Sequence, residues 1–443
     1  MRGKRRRRSR RRDAIRPMVL LLAAVLLCGG AVWGFLKWRG APPPEDGGAL
    51  GRAPIGSDVS PETPPALPED ASEEPGPLPE DPAPLTEDPS PLPEEPVSLA
   101  EETLAAMSLR EKVYQMFIVS PTSLTGVQNV TAAGETTRKA LEKFPVGGLL
   151  YDRSNMVSKE QVRKMLGSAQ SYVQVPLFLT CDEEGGRVNR LMKSVGTTWV
   201  GPMLDYQDQG PAVARDNACT IARDLTSCGF NMDLAPVADV WSNPQNTVIG
   251  DRAYSDRFDR AAELLPAAVE GFHNGGVACV LKHFPGHGDT SADSHYGSVY
   301  VYKPLEKIRQ EELLPFQAGI DAGADAVMMG HLIVTDAEEV PALFSSRLVT
   351  QLLREEMGFT GVVMTDSLQM QAMADHYGSA EVAVRAVKAG VDILLSPMDL
   401  ETAAGALIQA VESGEIPEAR IDESVLRILR LKEARGILTG TAE

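Results

Sequence analysis

Fourteen consecutive residues, "KHFPGHGDTSADSH" from Lys282 to His295, hold three of the six histidines of this 443-residue chain, with Lys282, Asp289 and Asp293 beside them. An imidazole with a pKa near its usual value of about 6.5 gives and takes a proton close to neutrality, and a carboxylate nearby can orient the ring and stabilise its cation. Asp293-Ser-His295 has the spacing for that pairing, on a section beyond Gly286 and Gly288, while Lys282 and His283 stand at the end of an apolar run where they could hold a substrate. A second candidate is Asp366 in "MTDSLQM" (364 to 370), which also ends an apolar run. Asp at such a place is either the N-cap of the next helix or a reactive carboxylate facing the same loop. A carboxylate nucleophile with a separate acid is the equipment for cleaving a glycosidic bond with retention.

Metal ligation competes for the same loop, since His283, His287, Asp289, Asp293 and His295 are suitable ligand types for zinc. Their spacing matches no helical His-x-x-x-His pair, and Pro285, Gly286 and Gly288 make the segment a loop. Division of labour within a proton-transfer site is therefore the favoured reading, with no metal and no cofactor expected.

Groups this far apart in sequence need a scaffold that gathers them. Eight short apolar runs read as strands: "QMFIVS" from Gln115, "VGGLLY" from Val146, "PLFLTC" from Pro176, "FNMDLAPV" from Phe230, "VACVLKHF" from Val277, "AVMMGHL" from Ala326, "GVVMTD" from Gly361 and "DILLSP" from Asp392. Between them lie amphipathic stretches such as "GPAVARDNACTIARDLTSCG", "DRAAELLPAAVEGFHNGG" and "SSRLVTQLLREEMG". Capping-box spacing at Ser108/Glu111 and Ser158/Gln161, and stop glycines at 229, 358 and 390, punctuate the helical segments. Apolar strands alternating with helices imply a parallel sheet covered by helices, and eight units predict an α/β fold of the (β/α)₈ TIM-barrel type. An open doubly wound sheet is the alternative, disfavoured by the strand count and by the lack of a Gly-x-Gly-x-x-Gly turn after the first strand.

A barrel carries its chemistry at the C-terminal ends of its strands. That rule places Asp182, Glu183, Glu184, Arg187 and Arg190 after the third strand, Asp239 after the fourth, the Lys282 loop after the fifth, His331 after the sixth and Asp366 after the seventh.

The region before the barrel is different material. Residues 1–16 are largely Arg and Lys, and the apolar "MVLLLAAVLLCGGAVWGFL" of Met18 to Leu36 is long enough for a membrane-spanning helix, assigned to 17–37. A cleaved signal would have a shorter apolar core and a small-residue cleavage site, whereas Lys37, Trp38 and Arg39 follow here. The basic block keeps the N-terminus in the cytoplasm by the positive-inside rule, which predicts a single-pass membrane protein with its catalytic domain outside. It is explained more simply as a topology signal than as a nucleic-acid contact, and no nucleic-acid partner is expected. Residues 38–97 repeat "LPED" (67–70, 78–81), "LTED" (85–88) and "LPEE" (92–95), a Pro-rich acidic disordered linker without the apolar groups for a core. Its acidity contributes much of the net charge of −18. Residues 98–443 form the predicted catalytic domain, in which Cys181, Cys219, Cys228 and Cys279 read as free buried thiols.

Taken in order, "DEEGGRVNR" (182–190), "GDRAYS" (250–255), "KHFPGHGDTSADSH" and "MTDSLQM" on a (β/α)₈ pattern resemble the β-N-acetylglucosaminidases of glycoside hydrolase family 3, over essentially all of residues 98–443. The resemblance implies Asp366 as nucleophile, His295 as acid/base assisted by Asp293, and Asp182, Arg190, Arg252, Lys282 and His283 as substrate contacts. It implies a retaining exo-acting enzyme that removes terminal β-GlcNAc; a catalytic domain tethered outside the membrane would meet cell-wall glycan or muropeptide fragments, and a monomer is expected. Two departures stand out: Glu183 occupies a place where relatives often have Gln, and the chain ends near the last barrel helix, without room for the second domain some relatives carry. A neutral imidazole does not repel an incoming anion, so phosphorolysis stays open, as do a β-glucosidase-like member of the family, an acetamido-assisted mechanism using Glu183 or Glu184, and a non-catalytic glycan-binding protein.

Overall fold

Each of the eight apolar runs contains a strand of one closed parallel sheet. The computed structural model describes residues 98–290 and 297–440, all within the unit Ser90–Glu443. Asp293, His295 and the three N-terminal segments (1–16, 17–37 and 38–97) lie outside the described residues. Among the described residues no helix is long and apolar enough to cross a membrane.

The strands are β1 (Phe117–Val119), β2 (Gly148–Leu150), β3 (Phe178–Cys181), β4 (Met232–Asp233), β5 (Ala278–Phe284), β6 (Val299–Val301), β7 (Ala326–Met329), β8 (Leu332–Val334), β9 (Val362–Thr365) and β10 (Leu394–Leu395). The main sheet runs β10-β1-β2-β3-β4-β5-β7-β9, every pair parallel, with registers such as Ile118 opposite Gly148 and Val327 opposite Val363. A parallel bridge between Met364 and Ile393 joins its two ends, reinforced by Thr365 N–H donating to Ile393 O at 3.0 Å. Between successive barrel strands lie helices Glu135–Lys143, Lys159–Gln170, Pro211–Cys228, Phe258–Asn274, Leu313–Asp321, Arg347–Glu356 and Ser379–Ala389, with Leu400–Glu412 and Glu418–Ala434 after the last. Helices outside and packed side chains inside leave the barrel strands buried on both faces, which is why they are continuously apolar rather than alternating. The segment Arg347–Glu356 is wound as a π-helix.

Local signals hold where their chemistry is complete. Ser108 and Glu111 form a reciprocal capping box, and Gly229 and Gly390 end helices with positive φ (97° and 116°). At Ser158 half the box is present: its hydroxyl accepts from Gln161 N–H, but Gln161 Oε1 accepts from Val157 N–H instead.

The sequence reading did not anticipate β6 and β8. The run from Ala326 breaks at Gly330, whose N–H donates to Phe284 O at 2.9 Å, and the chain then leaves the barrel to pair β8 with β6 in a separate two-stranded sheet. At the opposite, N-terminal end of the barrel, buried Asp392 accepts from Arg354 (2.5 Å), Ser424 (2.7 Å) and Arg427 (3.1 Å), fastening the final helix to the sheet.

Candidate active site

Asp182, Arg190, Arg252, Lys282, His283 and Asp366, separated by up to 184 positions in sequence, all line one cavity of about 530 Å³ at the C-terminal ends of the strands. The volume suits a small-molecule site.

Two adjacent residues of one strand normally point to opposite faces. Lys282 and His283 both reach the cavity because the β5–β7 register shifts between Lys282 and Phe284, so that His283 is an extra residue without a counterpart on β7. Such an irregularity re-aims side chains at a sheet rim. The loop beyond is held close against the barrel: a Cβ at Gly288 would lie 1.6 Å from Val240 O, and buried Asn246 donates to His287 O at 2.7 Å.

Lys282 is 1% exposed. Its ammonium lies 2.9 Å from Asp182 Oδ1 and 2.6 Å from Glu184 Oε1. Arg252 grips the same Glu184 through two bonds, Nε to Oε2 at 2.7 Å and Nη2 to Oε1 at 2.8 Å, while Arg190 Nη2 donates to Asp182 Oδ2 at 3.0 Å. Burial opposes the charge on Glu184, but Arg252 and Lys282 outweigh it and hold the carboxyl far below the usual carboxylate range. Lys282 is likewise disfavoured as a cation by burial, and Asp182 and Glu184 reverse that, raising its pKa. Counting Asp366, three carboxylates face three cations across the cavity wall. A balanced, hydrogen-bonding wall suits a neutral polyhydroxylated ligand better than an ion.

Asp366 follows β9, with its N–H donating to Met329 O at 3.0 Å and its Oδ1 accepting from Ser367 N–H at 2.7 Å. The helix-cap alternative does not hold, because the N-cap of the following helix, Gln371–Ala374, is Met370. Burial works against ionisation of Asp366; the charges of His283 and His331 and the Ser367 N–H prevail, leaving its pKa lowered. The group is a carboxylate at neutral pH, as a nucleophile must be.

Three residues take roles that spacing did not reveal. Asp239, noted only as a rim group after β4, accepts from His283 Nδ1–H at 2.6 Å, His283 N–H at 3.1 Å and His287 N–H at 2.6 Å. Burial raises the cost of its charge, and His283 and His287 more than offset it. Glu183 does not line the cavity; its carboxylate accepts from the N–H groups of Arg190 (2.5 Å), Leu191 (2.8 Å) and Met192 (3.1 Å), closing the turn that brings Arg190 back to Asp182. Arg187 also lies away from the cavity, donating to the carbonyls of Thr247, Val248 and Ile249 and so tethering the segment that carries Arg252. The signal available in the sequence was the cluster of charges on one rim; their partners were not readable from it.

Of the loop weighed as a metal site, His287 Nδ1 lies 2.9 Å from Thr290 Oγ1 and Asp289 pairs with Lys303 at 3.2 Å. The metal-type cluster found among the described residues is His273, Cys279 and Asp325, away from the cavity, where Arg435 bonds both His273 and Asp325.

A closed parallel barrel that gathers a carboxylate and paired charges in one cavity at its C-terminal rim is a (β/α)₈ barrel with its candidate site where such folds carry their chemistry. The chain belongs to glycosyl hydrolase family 3, whose N-terminal domain matches residues 108–431. It is 33% identical over 322 residues to beta-hexosaminidase A of Pseudoalteromonas piscicida, covering 66% of this chain and 54% of that protein. Against the beta-hexosaminidase of Xanthomonas axonopodis pv. citri it is 36% identical over 265 residues, 58% of this chain and 78% of the relative. A solved family 3 beta-N-acetylglucosaminidase from Paenibacillus sp. superposes with a TM-score of 0.71 at 40% identity, over 76% of this chain and 64% of that one. The chain thus spans about half of the Pseudoalteromonas protein and under two thirds of the Paenibacillus one.

Proposed function

We propose that this chain is a retaining, exo-acting β-N-acetylglucosaminidase that removes terminal β-linked GlcNAc from cell-wall-type glycans or their fragments. The observation that carries the reading is the ionised Asp366 in a cavity whose other charged side chains are paired with one another. The similarity to named hexosaminidases supports the N-acetyl sugar.

In the first step Asp366 attacks the anomeric carbon while protonated His295, oriented by Asp293, gives its proton to the departing oxygen. In the second step neutral His295 takes a proton from water, which displaces Asp366 and releases the sugar with retained configuration. Asp182, Arg190, Arg252, Lys282 and His283 hold the sugar's hydroxyl and acetamido groups. Against the acetamido-assisted alternative, Glu184 is locked between two cations as an anion and Glu183 faces a helix end, so neither is placed to deliver a proton.

The location is part of the proposal: residues 17–37 anchor the chain in the membrane, the acidic linker 38–97 extends outward, and the barrel acts outside as a monomer. The test is hydrolysis of an aryl N-acetyl-β-glucosaminide by the full chain, beside Asp366→Ala and the matching aryl glucoside. Turnover of the N-acetyl compound, reduced by about 10³-fold or more in the variant, supports the reading; substantial activity in Asp366→Ala defeats it. A sugar phosphate released in phosphate buffer would make the chain a phosphorylase instead.

A further inference from the structure

Tyr300 in β6 and Tyr302 just beyond its end are two large aromatics that the core does not use. Tyr300 and Tyr302 are 49% and 77% exposed, while the alternate residues Val299 and Val301 are buried. Their rings are nearly parallel, 13° apart, with centroids separated by 6.1 Å. Leaving two large rings in water forgoes the burial that normally stabilises aromatic side chains, and amphipathic tyrosines left this way are well suited to contacts with a ligand.

Two chains of contacts tie this segment to the residues of the cavity rim. Tyr300 is in register with Ile333 of β8, two residues after His331, whose Nε2–H donates to Ser367 O at 2.8 Å beside Asp366. Tyr302 precedes Lys303, whose ammonium pairs with Asp289, two residues after the cavity-lining His287, and with Glu311 and Glu312. The strand is therefore pinned to the rim by its neighbours, leaving the tyrosines free to engage a ligand. Lys303 is already matched by three carboxylates, so the patch offers no excess of positive charge to an anionic partner.

We propose that Tyr300 and Tyr302 form a saccharide-stacking platform that holds pyranose rings of the glycan beyond the sugar in the cavity. The face of a β-linked pyranose presents several C–H groups in one direction and its hydroxyls at the edge. A tyrosine ring covers the former and its phenol reaches the latter. The proposal rests on the glycan-cleaving function above and extends it to substrate length: the platform contributes to oligosaccharides and nothing to a single sugar.

The experiment compares the full chain with Tyr300→Ala/Tyr302→Ala and with Tyr302→Trp, in two measurements. The first is KM for an aryl N-acetylglucosaminide and for a β-1,4 GlcNAc pentamer. The second is calorimetric binding of GlcNAc and of the pentamer to the same tyrosine variants built on Asp366→Asn, which does not consume the ligand. Because both side chains are exposed, unchanged melting temperatures are expected. The double variant should raise KM and Kd for the pentamer about 3- to 10-fold while leaving the one-sugar ligands unaffected, and Tyr302→Trp should retain pentamer binding. Equal affinities of parent and double variant for the pentamer overturn the platform, and a matching loss for GlcNAc itself overturns it by showing damage to the cavity. If the parent turns over neither substrate, the hydrolase reading fails while the calorimetry still decides the platform.

Discussion

Replacing Lys282 by Met removes the one cation shared by Asp182 and Glu184, and its cost follows from the contacts. The ammonium is buried and lies 2.9 and 2.6 Å from the two carboxylates. After the change each keeps a guanidinium, Arg190 for Asp182 and Arg252 for Glu184, but the cavity carries one excess negative charge. Removing one partner from a buried pair costs about 3–5 kcal/mol; the remaining guanidinia put Lys282→Met near the lower end. Glu184→Gln leaves one excess positive charge and should cost a similar amount. The double variant restores the balance, with Asp182 and Asp366 against Arg190 and Arg252, so its loss should fall short of the sum by about 1–3 kcal/mol. Urea unfolding of the purified chain at constant m measures all four corners of the cycle. The pH dependence has a definite sign. The Glu184 pKa is lowered in the folded state, so its contribution to stability is present above its ordinary value of 4.5 and is lost as pH falls toward the folded value. Without Lys282 that lowering is smaller, so the gap between parent and Lys282→Met should hold down to the ordinary carboxylate range and narrow as pH falls further toward the folded value. Additive losses at pH 7, or a gap that widens on acidification, would refute the charge-balance argument.

Lys432, fully buried with its ammonium 2.9 Å from Gln115 Oε1, has its pKa pushed down by burial to about 7 from 10.5. The unfolded chain binds this proton more tightly, so stability rises with pH between those values. Lys432→Met should stabilise the barrel at pH 7, by at most about 5 kcal/mol less about 1 kcal/mol for the stranded Gln115, with a smaller gain at pH 9.5 in melting experiments. Glu183→Gln weakens the cap on the turn before Leu191 and should lower stability by about 1–3 kcal/mol; with Arg190 less well placed, KM for the aryl substrate should rise more than kcat falls. Asp239→Asn disturbs the His283 ring without touching the cavity, so kcat/KM should drop about 10- to 100-fold with an altered pH profile, and an unchanged profile would count against its positioning role.

Much of the scaffold was legible because each of its signals is local. A parallel barrel strand is apolar on both faces, so "VACVLKHF" and "GVVMTD" declare themselves without knowledge of their neighbours, and glycines 229 and 390 mark helix ends through a backbone conformation they alone adopt easily. The break at Gly330 was hidden because "AVMMGHL" is apolar throughout: its last part leaves the barrel for β6, and composition cannot distinguish two buried sheets. Asp293 and His295 lie outside the described residues, and their roles rest on the sequence pattern alone.

By itself, then, the sequence determined the eightfold strand and helix alternation, the rim on which Asp182, Lys282, His283 and Asp366 stand, and the family. Only the tertiary structure decided which charge answers which. Glu184 meets Arg252 across 68 residues, Asp239 meets His283 across 44 and Asp182 meets Lys282 across 100. Coulombic and hydrogen-bonding partners are chosen by distance in space, and a register shift of one residue at His283 is enough to turn two neighbours into the same cavity.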